Sequence, residues 1–139
     1  TLLDTAPWYG HGSSEVVIGW ALQEILLKVD RKLLTVNTKV GRYEVDPQHQ
    51  FDYSQEMTMK SAQRSLKRMN VSYVDVLQLH DPEFAPSLDQ FFSETIPALL
   101  ECRDKGWAHA LGMTGYPLHI QYQILQRTLT EFPTITVWD

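Results

Sequence analysis

The sequence predicts an α/β fold in which parallel β-strands alternate with α-helices. Short runs rich in Val, Leu, Ile and Thr recur along the chain, and stretches with helical spacing of apolar residues separate them. The strand-like runs are almost continuously apolar, as expected for strands covered by helices on the faces of a sheet. This alternation favours a parallel sheet with right-handed crossovers, either a doubly wound open sheet or part of a (β/α)₈ barrel.

Five runs are predicted to be strands: Thr1–Asp4, Leu33–Val40, Val74–His80, Ala108–Thr114 and Thr134–Trp138. A complete barrel needs roughly 250 residues, whereas this chain has 139. Because predicted strands stand at both ends of the chain, we expect a fragment of a larger domain. A small domain with edge strands at its termini is the alternative.

Helical patterns fill the intervals between these strands. Ser13 or Ser14 is predicted to cap the first helix and Ser54 the second. The apolar face of the first helix would carry Val17, Ala21, Leu22 and Ile25, and the inner stripe of the second would be Met59, Ala62, Leu66 and Met69.

The last two helical regions contain prolines that bear on where each helix begins. Ser87 and Gln90 have capping-box spacing, and Pro97 favours a short turn followed by a helix that begins near Thr95 and ends before Gly106. Pro117 suits the first position of the final helix. The apolar face of that helix would carry Leu118, Tyr122 and Leu125.

Composition argues against two classes of partner and favours one compartment. Lys and Arg total 12 against 17 for Asp and Glu, a formal charge of −5, so we expect no nucleic-acid binding. Since no apolar run reaches about 18 residues, we expect no membrane association. A single cysteine, Cys102, cannot form an internal disulfide, which fits a reducing compartment such as the cytoplasm.

Ionisable or polar side chains close the successive predicted strands. Asp4, Lys39, His80 and Thr114 stand at strand ends, and Tyr9 follows the first strand closely. Each has an ordinary explanation when taken singly, such as a turn cap for Asp4 or a satisfied core histidine for His80. In parallel α/β folds, however, the carboxyl ends of the strands meet at one edge and carry the chemistry.

Together these residue types suit proton transfer to or from an oxygen. A phenol has a reference pKa near ~10, and a neighbouring cation lowers the pKa while a carboxylate anchors the cation. Tyr, Lys, Asp and a polarising His could therefore assist carbonyl reduction or alcohol oxidation. The hydride must come from a cofactor, because no side chain supplies one.

Three segments resemble the aldo-keto reductase superfamily. Asp4–Gly10 resembles its D-T-A-x-x-Y-G segment, Thr38-Lys39 its T-K strand end, and Ser65–His80 its S-L-x-x-L-x-x-x-Y-x-D-x-x-x-x-H segment. The resemblance covers essentially the whole chain. It implies a (β/α)₈ barrel of which residues 1–139 hold about strands two to six of eight, without the first strand and the C-terminal cofactor-binding units.

The resemblance also implies roles for the residues at the strand ends. Tyr9 would be the proton donor or acceptor, Lys39 and Asp4 would tune it, and His80 would orient the substrate oxygen. Asp4 and Thr114 would contact a bound NAD or NADP. Trp8, beside the site, would line the substrate wall together with His80, although packing is an equal explanation for the indole.

Further motifs look closest to the branch of L-galactose and aldose 1-dehydrogenases. They are Thr38–Tyr43, Leu79–Phe84, Ser93–Leu99 and Met113–Leu118. Thr114-Gly115 replaces the Ser-Asn pair with which many relatives hold the nicotinamide carboxamide. The implied activity is NAD(P)-dependent hydride transfer with a sugar or a related alcohol or aldehyde. A non-catalytic binding or regulatory subunit, or an inactive fragment, is the alternative.

No metal site is expected from the sequence. His11, His49, His109 and His119 show no ligand spacing. Although His80, Asp81 and Glu83 could in principle hold a divalent ion, ligands from one loop are weakly diagnostic.

Overall fold

Four parallel strands form the sheet of the computed structural model, which describes residues 1–132. The strands are β1 (Leu2–Asp4), β2 (Thr35–Val40), β3 (Val74–His80) and β4 (Ala108–Thr114). They pair in sequence order, and every pairing is parallel. The predicted parallel α/β fold is confirmed, while the predicted strand Thr134–Trp138 lies outside the described residues.

A helix follows each of the four strands. The helices are α1 (Ser13–Ile25), α2 (Gln55–Met69), α3 (Ile96–Asp104) and α4 (Leu118–Glu131). Shorter helical turns are Tyr9–Gly12, Arg31–Leu33, Pro82–Phe84, Leu88–Gln90 and Phe91–Thr95. No helix within residues 1–132 has the length and hydropathy that crossing a bilayer requires.

The helices cover the sheet through a core of fully buried side chains. Strand and helix residues contribute to it alike, among them Val36, Leu77, Leu79, Leu111, Leu22, Met69, Leu99 and Ile124. Burial of each large aliphatic side chain contributes about 1.5–3 kcal/mol relative to exposure. The core therefore fixes the strands relative to one another and, with them, the side chains at their ends.

The second strand begins two residues later than predicted. The Asp30 carboxylate accepts a hydrogen bond from the Lys32 backbone N–H at 2.9 Å and caps the turn Arg31–Leu33. Leu33 lies in that turn and is exposed, so its apolar character marks no strand.

The first helix differs most from its prediction. Its N-cap is Gly12, and the Ser14 hydroxyl instead lies 2.9 Å from the hydroxyl of Thr5. Only part of the predicted face is confirmed: Leu22 is buried and Ile25 half-buried, whereas Val17 and Ala21 are exposed. The buried positions of α1 are Glu15, Gly19 and Leu22.

The remaining helices follow the predictions more closely at their ends than on their faces. The Ser54 hydroxyl caps α2, and the Ser87 hydroxyl accepts from the Gln90 N–H at 3.3 Å. Three of the four predicted stripe residues of α2 are buried, and Met59 is half-buried. The helix predicted from near Thr95 begins at Ile96, after a π-helical turn. The apolar face predicted for α4 is wrong, because the buried residues of that helix are Ile124 and Thr128.

Gly19→Ala is expected to destabilise the full-length protein by about 2 kcal/mol. A methyl group at this position would lie 2.5 Å from the carbonyl oxygen of Arg68 and 2.9 Å from the Cα of Met69. Overpacking against backbone costs up to about 3 kcal/mol, and the better helix propensity of Ala offsets about 1 kcal/mol of that. Thermal unfolding should show a lower Tm.

Glu24→Ala, an exposed position of the same helix, is the matched control and should leave the Tm unchanged. A Gly19→Ala protein that melts at or above the wild-type temperature would contradict the close approach of α1 and α2.

Candidate active site

The ends of the four strands bring polar side chains to one edge of the sheet. Asp4, Lys39, His80 and Thr114 lie at or next to the last residues of β1, β2, β3 and β4. His80 and Thr114 are directly paired in the register of β3 and β4. Parallel pairing in sequence order places all four at the carboxyl edge, where sites of α/β folds lie.

Lys39 is buried and donates hydrogen bonds to two direct partners. Its Nζ atom donates to Asp4 Oδ2 and to the backbone carbonyl of Thr5, each at 2.8 Å. The Lys39 side chain is 4% exposed, whereas the Asp4 side chain is 44% exposed. A buried ammonium is costly unless it is paired, so the loop after β1 stabilises this lysine in its position.

Tyr9 stands beside this lysine in the turn that follows β1. The Lys39 Nζ atom lies 4.9 Å from the centre of the Tyr9 ring. The ring meets the imidazole of His80 edge to face, with centres 6.1 Å apart, and Tyr9 remains 38% exposed. The structure thus brings Asp4, Tyr9, Lys39 and His80 into one cluster with the phenol accessible from outside.

The imidazole of His80 is buried and uncharged at neutral pH. Its pKa falls from 6.5 to about 4, chiefly because of burial. The positive charges of Lys39 and Arg42 contribute to this fall, and the carboxylates of Asp81 and Asp4 oppose it. Its Nδ1 atom has no hydrogen-bond partner among the described residues. A neutral imidazole carries one N–H, which suits donation to a neutral oxygen.

A charged pair that sequence reasoning missed borders the histidine. Arg42 donates to Asp81 Oδ2 at 2.8 Å, and the same carboxylate oxygen lies 3.8 Å from His80 Nε2. Asp81 adopts the left-handed backbone conformation, with φ of 52°. The sequence pointed to this pair only through the positions of its members: Asp81 directly follows His80, and Arg42 lies two residues after β2.

Aromatic rings pack against the guanidinium of Arg42 next to the site. The guanidinium of Arg42 lies 4.3 Å from the centre of the Trp8 ring and 5.4 Å from that of Phe51. Phe51 stacks on Phe84 with centres 4.4 Å apart. Trp8 therefore packs against a cation next to the site, and its predicted substrate contact stays a prediction.

Steric contact explains the glycine that follows β4. A side chain at position 115 would collide with the carboxylate of Glu83 and approach the ring of Pro82. The other oxygen of Glu83 accepts a hydrogen bond from the Tyr116 backbone N–H at 2.9 Å. Thr114, the preceding residue, is half-buried, and its predicted contact with a cofactor stays a prediction.

No group of three or more His, Cys, Asp or Glu side chains within residues 1–132 is arranged to hold a metal ion. His80 and Asp81 approach each other, but Asp81 binds Arg42.

Known proteins have sequences similar to this chain over almost its whole length. It is 44% identical to L-galactose dehydrogenase of Arabidopsis thaliana over 124 residues, 89% of this chain and 37% of the relative. It is 34% identical to D-arabinose 1-dehydrogenase of Saccharomyces cerevisiae over 129 residues, 93% of this chain and 36% of the relative. The chain thus spans little more than a third of these curated relatives.

Solved structures agree with the sequence comparison. The holo form of the aldo-keto reductase AKR11C1 from Bacillus halodurans superposes with a TM-score of 0.74 at 29% identity, covering 91% of this chain and 40% of that one. The four strands accordingly form part of a (β/α)₈ barrel. The model of the aldo/keto reductase family matches residues 1–137. This chain belongs to the aldo/keto reductase family.

Proposed function

We propose that the protein containing this chain is an NAD(P)-dependent oxidoreductase that transfers a hydride between nicotinamide and a sugar or a related alcohol or aldehyde. The single observation that carries the proposal is the buried Lys39 ammonium, which lies between the Asp4 carboxylate at 2.8 Å and the Tyr9 ring at 4.9 Å. The sugar specificity is supported by the 44% identity to L-galactose dehydrogenase.

The side chains at the strand ends fit a nicotinamide cofactor. The Thr114 hydroxyl is half-buried at the end of β4 and beside His80 in the register, and Asp4 keeps 44% of its side chain exposed. These two residues would contact bound NAD or NADP. The bound nicotinamide would supply or accept the hydride, a capacity that amino-acid side chains lack.

Each residue of the cluster has a separate part in the proton transfer. Tyr9 gives its phenolic proton to the substrate oxygen during reduction and takes it back during oxidation. Lys39 stabilises the negative charge that develops on the phenol oxygen, and Asp4 keeps the ammonium in place. The neutral imidazole of His80 donates a hydrogen bond that orients the substrate oxygen.

We propose further that residues 1–139 belong to one aldo-keto reductase domain whose other strands, among them the first strand and the C-terminal cofactor-binding units, lie outside this chain. The coverage of 36–37% of the curated relatives supports this proposal. The cytoplasm is the proposed compartment, on the grounds of the single cysteine. The proposed partners are small sugar or carbonyl substrates.

Tyr9→Phe should lower turnover by about 10²–10⁴-fold, because loss of the hydroxyl removes the general acid–base group. The measurement follows NAD(P)H absorbance in the full-length protein with a panel of aldoses, and cofactor affinity should stay nearly intact. Tyr122→Phe, an exposed tyrosine of α4, is the matched control and should keep wild-type turnover.

Wild-type kcat in the Tyr9→Phe protein would contradict this mechanism. A wild-type protein that binds NAD(P)H but turns over no aldose or aldehyde would favour the regulatory-subunit alternative.

His80 should stay neutral from about pH 5 to about pH 8, because burial lowers its pKa to about 4. The chemical shift of its imidazole Cε1–H in the labelled full-length protein should be constant across this range, and His80→Gln identifies the resonance. A titration midpoint between pH 6 and pH 7 would contradict the burial of this ring.

Because the pKa of His80 is lowered in the folded protein, the free energy of unfolding should decrease as the pH falls below about 6.5. Below about pH 6.5 the unfolded chain takes up a proton at His80 that the folded protein binds only near pH 4. Because the unfolded state then binds more protons, the contribution of His80 falls as pH drops from about 6.5 towards 4. Above pH 6.5 the ring is neutral in both states.

Denaturant unfolding at pH 7 and pH 5 should therefore show a larger loss of unfolding free energy in the wild type than in His80→Gln. Equal losses in the two proteins would contradict the lowered pKa.

A further inference from the structure

A carboxylate that takes no part in the proposed proton transfer is fully buried behind the site. Glu15 of α1 accepts hydrogen bonds from the Thr38 hydroxyl at 2.6 Å and from Arg68 Nη1 at 3.0 Å. Its exposed fraction is 0%, while the Arg68 side chain is 30% exposed. A buried carboxylate is costly unless it is paired, and Thr38 and Arg68 are the partners that Glu15 has.

The chain makes room for this buried pair at Gly12. Gly12 has φ of 88°, a left-handed conformation, and any Cβ atom at this position would lie 2.6 Å from the Arg68 guanidinium carbon. The turn that carries Tyr9 therefore leads into α1 directly beneath the Arg68 side chain. The Glu15–Arg68 pair therefore lies next to the end of the turn that carries Tyr9.

Thr38, the residue that binds Glu15, directly precedes Lys39 in β2. Successive side chains of a strand point to opposite faces, so Thr38 faces the helix layer while Lys39 faces Asp4 and Tyr9. The hydrogen bond from Thr38 to Glu15 therefore joins α1 to β2 at the residue next to the lysine.

A second contact of the same kind joins α1 to the end of β1. The hydroxyls of Thr5 and Ser14 lie 2.9 Å apart, and Thr5 directly follows Asp4. The Thr5 carbonyl also accepts from Lys39 Nζ at 2.8 Å. The first turn of α1 is thus bonded to the residue next to Asp4 and to the residue next to Lys39.

We propose that Glu15 is a positioning residue for the proton-transfer cluster: paired with Arg68, it anchors Thr38 and so holds Lys39 against Tyr9 and Asp4. The inference rests on the proposed function, in which Lys39 stabilises the charge on Tyr9. Displacement of a reacting group by about 1 Å can cost about 10²-fold in rate.

The test compares Thr38→Val with Thr38→Ser in the full-length protein. Valine keeps the shape of threonine and removes the donor to Glu15, while serine keeps the donor and removes a methyl group. We expect kcat to fall about tenfold or more in Thr38→Val and to stay within about threefold in Thr38→Ser. KM for the sugar and Kd for NAD(P)H should change less than about twofold.

Thr58→Val is the matched control, since Thr58 is a buried threonine of α2 whose hydroxyl has no hydrogen-bond partner in the described part of the chain. It should keep wild-type kcat. Glu15→Gln is the second variant, because an amide still accepts from Thr38 but loses the ion pair with Arg68. Its kcat should lie between those of the wild type and Thr38→Val.

Wild-type kcat in Thr38→Val would overturn the positioning role, and so would equal losses in Thr38→Val and Thr38→Ser. Tyr9→Phe separates this inference from the proposed function. Wild-type kcat in Tyr9→Phe contradicts the proposed function, whereas a Tyr9→Phe protein slowed about 10²–10⁴-fold together with a fully active Thr38→Val contradicts only the role of Glu15.

Discussion

The buried ammonium of Lys39 is the charge around which the sheet edge is organised. A lysine in this position must be compensated within hydrogen-bond distance, and the compensation comes from Asp4 and the Thr5 carbonyl, more than thirty residues earlier in the chain. That requirement fixes the end of β1 against the end of β2. It also decides where the following turn can run, and therefore where Tyr9 stands.

The two buried basic side chains of the cluster have different partners. Lys39 has a carboxylate at 2.8 Å. His80 has its nearest carboxylate oxygen at 3.8 Å, shared with Arg42, and its pKa falls to about 4. The cluster therefore combines a paired lysine with a neutral hydrogen-bonding ring. Arg42 helps to keep the imidazole neutral, because it lies 2.8 Å from the Asp81 carboxylate while His80 lies 3.8 Å from it.

Sequence alone could predict the parts of the structure that depend on local pattern and on the geometry of parallel sheets. β3 and β4 have their predicted bounds, and Asp4, Lys39 and His80 meet because parallel strands end at the same edge. The Ser54 cap follows from local hydrogen bonding. The catalytic roles of these residues remain predictions.

What the sequence could not show depends on contacts between distant residues. The buried face of α1 contains Glu15 and Gly19. Glu15 is buried because it binds Arg68 and Thr38. Gly19 is buried because it lies against the backbone of α2. Apolar periodicity favoured Val17 and Ala21 instead, since it registers neither a paired charge nor a close backbone approach. The Arg42–Asp81 pair likewise joins residues 39 apart in the chain.

The contact between Gly115 and Glu83 links the evolution of two loops. A side chain after Thr114 would displace the carboxylate end of Glu83, whose other oxygen binds the backbone of Tyr116, and would press against the ring of Pro82. A descendant that acquired an asparagine at position 115 would have to move the end of the Glu83 side chain aside and make room beside Pro82 in the loop after β3. A larger residue at position 115 is consequently expected together with a change in the loop after β3, at Pro82 or at Glu83.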